Sequence, residues 1–233
     1  MRDISVSVIL PCYNEQGNVE RTTLAALEAC RALFSDFEII VVNDGSLDAT
    51  GEIAERLARE HECVRAVHNW PNQGYGGALQ RGFREARKDW VFYTDGDGQF
   101  DVREITRLIE LLDRFDLVVG YRLDRKDHWM RKVNAWGWTT LCNLLFRMKI
   151  RDVDCAFKLI PRRLLQEIPL HSRGALISAE LLARAIRRGY RIGQVGVHHY
   201  PRLAGTPTGA HPRVIFRAFA ELLSLRGRIL QGL

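Results

Sequence analysis

Two aspartates two residues apart, in Asp95-Gly96-Asp97-Gly98-Gln99, follow directly on the apolar run Trp90-Val91-Phe92-Tyr93-Thr94. A short apolar run of this kind predicts a buried strand. Both carboxylates then leave one strand end together, and Gly96 and Gly98 permit a tight turn between them. In extended chain Asp97 and Gln99 share a face. Their oxygens suit a hard divalent cation, Mg2+ or Mn2+, with coordination positions left for phosphate oxygens. The alternative is an acidic surface turn, since Asp and Gly are ordinary turn residues. Two other strand ends carry related chemistry. Pro11-Cys12-Tyr13-Asn14-Glu15 closes the first apolar run, and Asn43-Asp44-Gly45-Ser46-Leu47-Asp48 follows Val42 at the end of the second. Each offers a carboxylate and backbone amides to a ligand with both donors and acceptors. Asp44 is expected to contact that ligand, because Gly45-Ser46 already supplies the turn, whereas Asp48 is expected to cap the next helix. Asn72-Gln73-Gly74-Tyr75-Gly76-Gly77-Ala78 reads either as a phosphate cradle at a helix N-terminus or as close helix–sheet packing. No GxGxxG follows the first strand and no Walker GK[ST] occurs, which argues against dinucleotide and P-loop sites.

The elements that must position these residues alternate. Apolar strands are expected at 6–10, 38–42, 64–67, 90–94 and 116–120, with helices at 18–34, 48–60, 74–86 and 102–113. That order predicts an α/β fold, a mostly parallel sheet between helical layers, with ligands at the carboxyl ends of strands. The second half predicts a helix at 129–149, a strand at 155–160, a helix at 178–188 and a strand at 190–195. His198-His199-Tyr200 and a Gly/Pro/Thr loop follow, then a basic amphipathic helix from 212. The expected division is a nucleotide-binding part over 1–122, an acceptor part over 123–211, and the helix of 212–233. With 233 residues, 46% hydrophobic and 27% charged, the chain can bury a real core. Its net charge of +6 permits anionic partners without selecting one, and the acidic strand ends argue against nucleic acid. Five scattered cysteines without CxxC spacing fit a reducing compartment. The N-terminus does not resemble a signal peptide, and no apolar run approaches the ~20 residues that span a bilayer.

Ile9-Leu10-Pro11-Cys12-Tyr13-Asn14-Glu15, Val41-Val42-Asn43-Asp44-Gly45-Ser46 and Asp95-Gly96-Asp97-Gly98-Gln99, in this order, resemble the family 2 nucleotide-sugar glycosyltransferases of GT-A fold, over about residues 4–122. Within that family the chain looks most like the polyprenyl-phosphate sugar transferases of the dolichol-phosphate mannose synthase type. The narrower likeness rests on Gly120-Tyr121-Arg122, on Asp152-Val153-Asp154-Cys155-Ala156-Phe157-Lys158, and on Glu180 with Arg202-x-x-Gly205-Thr206. The resemblance implies that Pro11, Tyr13, Glu15, Val42, Asp44 and Gly74 line the nucleotide sugar. Asp95 and Gly96 should lie by the ribose and diphosphate, Asp97 and Gln99 on the metal, and Arg122, Arg131 and Arg202 toward donor or acceptor phosphates. His199 or Tyr200 is expected near the donor phosphates.

The same resemblance implies an inverting transfer of a hexose, from a GDP-mannose or UDP-glucose type of donor to a polyprenyl phosphate, with Asp97, Arg122, Arg202 and Glu180 as the catalytic set. A phosphate monoester, with its second pKa of about 6, is already ionised near neutral pH and needs no general base. A saccharide or protein hydroxyl would need one. Relatives that glycosylate hydroxyls usually carry an acidic dyad and a Q-x-x-R-W motif. Here Ile177-Ser178-Ala179-Glu180 stands alone, so Glu180 is either a base or a brace for an arginine. A catalytically silent nucleotide-sugar-binding subunit is a further alternative, which the intact Asp97/Gln99 pair opposes. A lipid acceptor requires access to a bilayer. The 129–149 segment mixes Trp129, Trp136, Trp138, Leu144 and Phe146 with Arg131, Lys132 and Arg147, and fits an interfacial helix, or a core or dimer helix. The tail from 212 fits an interface with membrane or protein. Attachment is expected to be peripheral, at the cytoplasmic face of a membrane, alone, as a homo-oligomer or with a membrane-anchoring subunit.

Overall fold

The computed structural model describes residues 4–123, 129–202, 221–222 and 224–229, with the backbone alone described at 129–131. Its centre is a seven-stranded sheet. β1 (Val6–Cys12) and β2 (Phe37–Asp44) are apolar runs buried along almost their whole length, as a strand covered on both faces must be. β3 (Val64–Asn69), β4 (Trp90–Thr94), β5 (Leu117–Leu123), β6 (Phe157–Pro161) and β7 (Ile192–His198) complete it, in the order β3-β2-β1-β4-β6-β5-β7. Each fully buried Ile or Val of this core contributes roughly 1.5–3 kcal/mol over an exposed one. Helices α1 (Val19–Leu33), α2 (Thr50–Glu60), α3 (Tyr75–Glu85), α5 (Trp129–Phe146) and α7 (Ile177–Arg187), with the short α4 (Ile105–Ile109) and α6 (Arg162–Glu167), accompany the sheet.

All the strands run parallel except β6, which is antiparallel to both its neighbours. Phe157 at the start of β6 pairs with Thr94 at the end of β4. The carboxyl ends of six strands and the segment leading into β6 therefore meet at one edge. β1 has β2 on one side and β4 on the other, which makes the β1/β4 boundary the point where strand order reverses. The sheet also crosses the expected division at 122, since β6 and β7 join the strands of the first part.

Several boundaries differ from expectation for local reasons. The helix expected at 102–113 is a 3-10 turn at Val102–Glu104 and the five-residue α4, because Asp101 caps the turn through the Arg103 N–H. Beyond α4 the backbone tightens to bonds three residues apart, as in Leu112 N–H to Ile109. β6 starts two residues late, where the carbonyls of Val153 and Cys155 turn inward to the ammonium of buried Lys158. β7 begins two residues late and runs to His198, because the Tyr190 N–H closes the end of α7 on the Ala185 carbonyl. α6 was not expected. It follows Pro161, whose fixed φ suits a helix entry. In the described end of the tail, Leu222, Leu225 and Ile229 are buried, so that face turns inward rather than toward an outside interface.

Candidate active site

The floor of the site is the turn after β4. The Gly96 N–H donates to the Pro11 carbonyl (3.3 Å), which joins this turn to the end of β1. A Cβ at Gly96 would lie 2.4 Å from the Cys12 sulfur, so only glycine fits the crossing. Asp95 and Asp97 flank it. Asp95 Oδ1 is buried without a hydrogen-bond partner, while the Tyr75 hydroxyl bonds this carboxylate. Burial and then repulsion from Asp97 push Asp95 above the usual carboxylate range, against the pull of Tyr75, Arg122 and Lys158. Asp97 is raised as well, chiefly by burial, with Glu15 adding and the Gln99 N–H and Arg202 opposing.

Beneath the turn lies a buried charged network. Arg122 at the end of β5 forms a two-bond fork with Asp152, at 2.7 Å for both bonds. Burial opposes its charge, but Asp152 holds the guanidinium firmly protonated. Lys158 is fully buried, donates to the Val153 and Cys155 carbonyls, and stands 5.4 Å from the centre of the Tyr93 ring. Asp154 accepts from the Trp138 indole of α5 (3.2 Å). Burial and Asp152 raise its pKa, while Lys158 and Arg122 offset part of the rise. Among the described residues, Glu15, Asp95, Asp97, Asp152 and Asp154 thus face Arg122, Lys158 and Arg202, a formal surplus of two negative charges in a partly desolvated place.

Such a surplus, with an orphaned carboxylate oxygen, matches a divalent cation in charge and in donor chemistry. Among the described residues no group of three His, Cys, Asp or Glu side chains could cage an ion alone. One or two carboxylates plus substrate phosphates are enough for Mg2+ or its analogues. Asp97, Asp95 and Gln99 are the residues present to hold it. Gln99 is more constrained than expected. Its backbone N–H donates to Asp97 Oδ1 (3.0 Å), its side-chain amide donates to the Tyr200 carbonyl (2.9 Å), and its carbonyl accepts from the Tyr200 N–H (2.9 Å).

The remaining expected site residues divide. Tyr13 is half exposed at the rim, after β1. Glu15 is near the floor but already engaged, through Oε2 with the Asn18 amide (2.7 Å) and through Oε1 with Arg202. Arg202 also reaches Asp97 (3.4 Å), so in this structure it lies on carboxylates rather than at a separate phosphate subsite. Arg122 is likewise tied to Asp152 rather than open on both edges of its fork. Asp44 is buried, and its Oδ1 accepts from Asn69 (2.7 Å) and from the Gln73 N–H (3.0 Å), bracing the loop before α3. Asp48 bonds Thr50 and the Gln16 N–H, joining the loops after β1 and β2. His198 meets Glu104 (3.1 Å), and His199 stands edge-on to Phe100 (5.0 Å between ring centres). Arg131 lies at the start of α5, its side chain outside the described residues, as are Gly205 and Thr206.

One expectation is corrected, and two alternatives left open by the sequence are resolved against a direct role in the site. Val42 packs in the core, against the position of Gly82 on α3, and is not a ligand-lining residue. The loop at Gly74 is not a phosphate cradle. The Gly76 N–H donates to the Arg173 carbonyl (2.7 Å), and a Cβ on Gly76 would lie 2.2 Å from the Ser172 carbonyl, so the chain at 172–174 occupies that place. Glu180 is fully buried on α7. Its Oε2 accepts from the N–H groups of His171 and Ser172 (3.0 and 2.8 Å), and its Oε1 from Arg184 (3.0 Å). It braces that loop and has no exposed oxygen to act as a base. Tyr75 and Lys158 were not anticipated in the site. A lone lysine in an apolar strand was the available signal for Lys158, since a buried charge demands partners. Tyr75 carried none.

Comparison with known proteins agrees with this architecture. The family model described as glycosyl transferase family 2 matches residues 7–169. Glycosyltransferase AglD of Haloferax volcanii is 34% identical over 209 residues, covering 85% of this chain and 34% of that protein. Dodecaprenyl-phosphate galacturonate synthase of Rhizobium johnstonii is 29% identical over 97% of the chain and 67% of its own length. Dolichyl-phosphate beta-glucosyltransferase of Saccharomyces cerevisiae is 26% identical over 84% of the chain and 66% of its own length. The chain thus spans from about one third to two thirds of these relatives. Among solved structures, glucosyl-3-phosphoglycerate synthase of Mycobacterium tuberculosis, crystallised with Mn2+, UDP and phosphoglyceric acid, superposes with a TM-score of 0.75 at 21% identity, over 96% of this chain and 79% of that one. That likeness establishes the GT-A fold. With the family match over most of its length and carboxylates gathered at the β1/β4 switch point, the chain belongs to glycosyltransferase family 2.

Proposed function

We propose that this chain carries a metal-dependent, inverting hexosyltransferase that moves a sugar from a nucleoside diphosphate to a polyprenyl phosphate. The observation that carries the metal part is the carboxylate surplus at the β1/β4 edge, with Asp95 Oδ1 unpartnered. The names of the relatives, a dodecaprenyl-phosphate and a dolichyl-phosphate transferase, support the lipid acceptor, and the Mn2+ and UDP of the structural neighbour support the donor class. Asp97, with Asp95 and Gln99, would hold a divalent cation, which would supply charge stabilisation to the departing diphosphate. Tyr13 offers an exposed ring to the base at the rim, and Glu15 and Asp44 hold the loops around it. Arg122 is held rigidly by Asp152, so its positive charge acts from a fixed position on the developing negative charge.

An ionised lipid phosphate attacks the anomeric carbon from the face opposite the leaving group and inverts it, with no proton to remove. The burial of Glu180 favours this acceptor over a hydroxyl, which would need a base there. The lipid must be met at a surface, and α5 presents Val133, Trp136 and Leu144 exposed along one side, a stripe suited to headgroup depth. Among the described residues no helix is long and apolar enough to cross a membrane. The test is a donor–acceptor matrix: purified protein, radiolabelled UDP- and GDP-sugars, Mn2+ or EDTA, with and without polyprenyl phosphate in detergent. Metal-dependent label in the lipid phase is expected. Label confined to water-soluble product would replace the acceptor. Nucleotide binding without transfer from any donor would make this a binding subunit.

A further inference from the structure

The position of Arg202 has a consequence for how the metal enters. Its guanidinium bridges Glu15 Oε1 and Asp97 Oδ2, two side chains that are only about a tenth exposed. Glu15 is independently anchored by Asn18. The chain before Arg202 is anchored too, by the paired hydrogen bonds between Gln99 and Tyr200. With Glu15 and the backbone before Arg202 both held, an exchange at Asp97 would be a movement of the arginine side chain alone. Asp97 Oδ1 already accepts from the Gln99 N–H, so a divalent cation on Asp97 would compete with Arg202 for the other oxygen, and two cations on one carboxylate repel each other at short range.

We propose that Arg202 is a resident counter-ion of the metal site, which holds Glu15 and Asp97 together in the free enzyme and is exchanged for the incoming divalent cation. This rests on the metal reading above. Released from Asp97 but tethered at Tyr200, the guanidinium stays within a side-chain's length of the same place, where phosphate oxygens entering with the metal are its natural partners. Arg202 therefore acts as a positioning residue. It lowers the affinity of the empty site for metal and makes metal and phosphate binding mutually supportive.

The test reads Mn2+ affinity directly, by electron paramagnetic resonance of free Mn2+, with Mn2+ alone and no nucleotide. R202A and R202Q are expected to bind Mn2+ more tightly than the unmodified protein, on the order of tenfold, about 1.4 kcal/mol, whereas R202K, which keeps the charge, stays near the unmodified value. R103A, which removes an exposed arginine paired with Asp101, controls for net charge and is expected to change nothing. Either arginine variant that folds, judged by its melting curve, suffices. Unchanged or weaker Mn2+ binding in R202A and R202Q overturns the exchange, as does an equal gain in R103A. D97N separates the two readings. If Mn2+ binding is the same with and without Asp97, the metal reading falls and the exchange with it. If binding depends on Asp97 yet ignores Arg202, only the exchange falls.

Discussion

Two carboxylates in this chain have opposite fates, one expected on the metal and one left open between base and brace. Asp97 lies in a carboxylate-rich cluster at a strand end, held by Arg202 and the Gln99 N–H; Glu180 is fully buried with its oxygens bonded to His171, Ser172 and Arg184. Asp97→Asn should therefore abolish Asp97-dependent Mn2+ binding and reduce transfer by about 10²-fold or more, the scale of losing a charge-stabilising group, as measured by calorimetry and by label transfer. Glu180→Gln should act on stability instead. It unbalances a buried pair with Arg184, and a loss of about 3 kcal/mol is expected in chemical denaturation. The folded fraction should keep most of its kcat. A variant that melts normally but has lost its chemical step would return Glu180 to the role of base. The aspartates at 95 and 97 were legible as a candidate site from their spacing after a strand. The engagement of Arg122 by Asp152, thirty residues away, and of Arg202 by Glu15 was not, because ion-pair partners are chosen by proximity in space.

Among the elements, α5 links the site to its surroundings. One side places Trp138 on Asp154 of the buried network, and another leaves Val133, Trp136 and Leu144 exposed. The sequence left open whether this helix faces a membrane, a core or a dimer partner; its stripe of exposed residues argues against a wholly core helix and leaves membrane and protein partner for experiment. Trp136→Ala with Leu144→Ala should weaken co-sedimentation with anionic vesicles while leaving the melting temperature within about 2 °C, since exposed side chains contribute little to folding. Unchanged vesicle binding would send that stripe to a protein partner. The loop at Gly74 teaches the converse lesson. Glycines before a helix suit phosphate and suit close packing equally well, and only the arrival of residues 172–174 from a distant part of the chain decided for packing.

At the scale of the whole molecule, the charge imbalance makes metal binding a stability effect. Because a cation would relieve repulsion among carboxylates that folding has gathered, the native state should bind it far better than the unfolded chain. Mn2+ at 100 times its dissociation constant should stabilise by about 2.7 kcal/mol, raising the melting temperature by roughly 5–11 °C for a chain of this size, and EDTA should reverse the shift in calorimetry. Asp97→Asn should remove it. The sequence by itself determined the alternation of strands and helices, the parallel sheet and the three strand ends that meet at one edge, because those follow from apolar periodicity and from glycine and aspartate after each run. Only the tertiary structure decided which charged side chains are bound to one another, because β6 enters antiparallel between β4 and β5, carries Lys158, and brings Asp152 and Asp154 of the segment before it beneath the aspartate turn, a juxtaposition that depends on strand order and not on any local pattern.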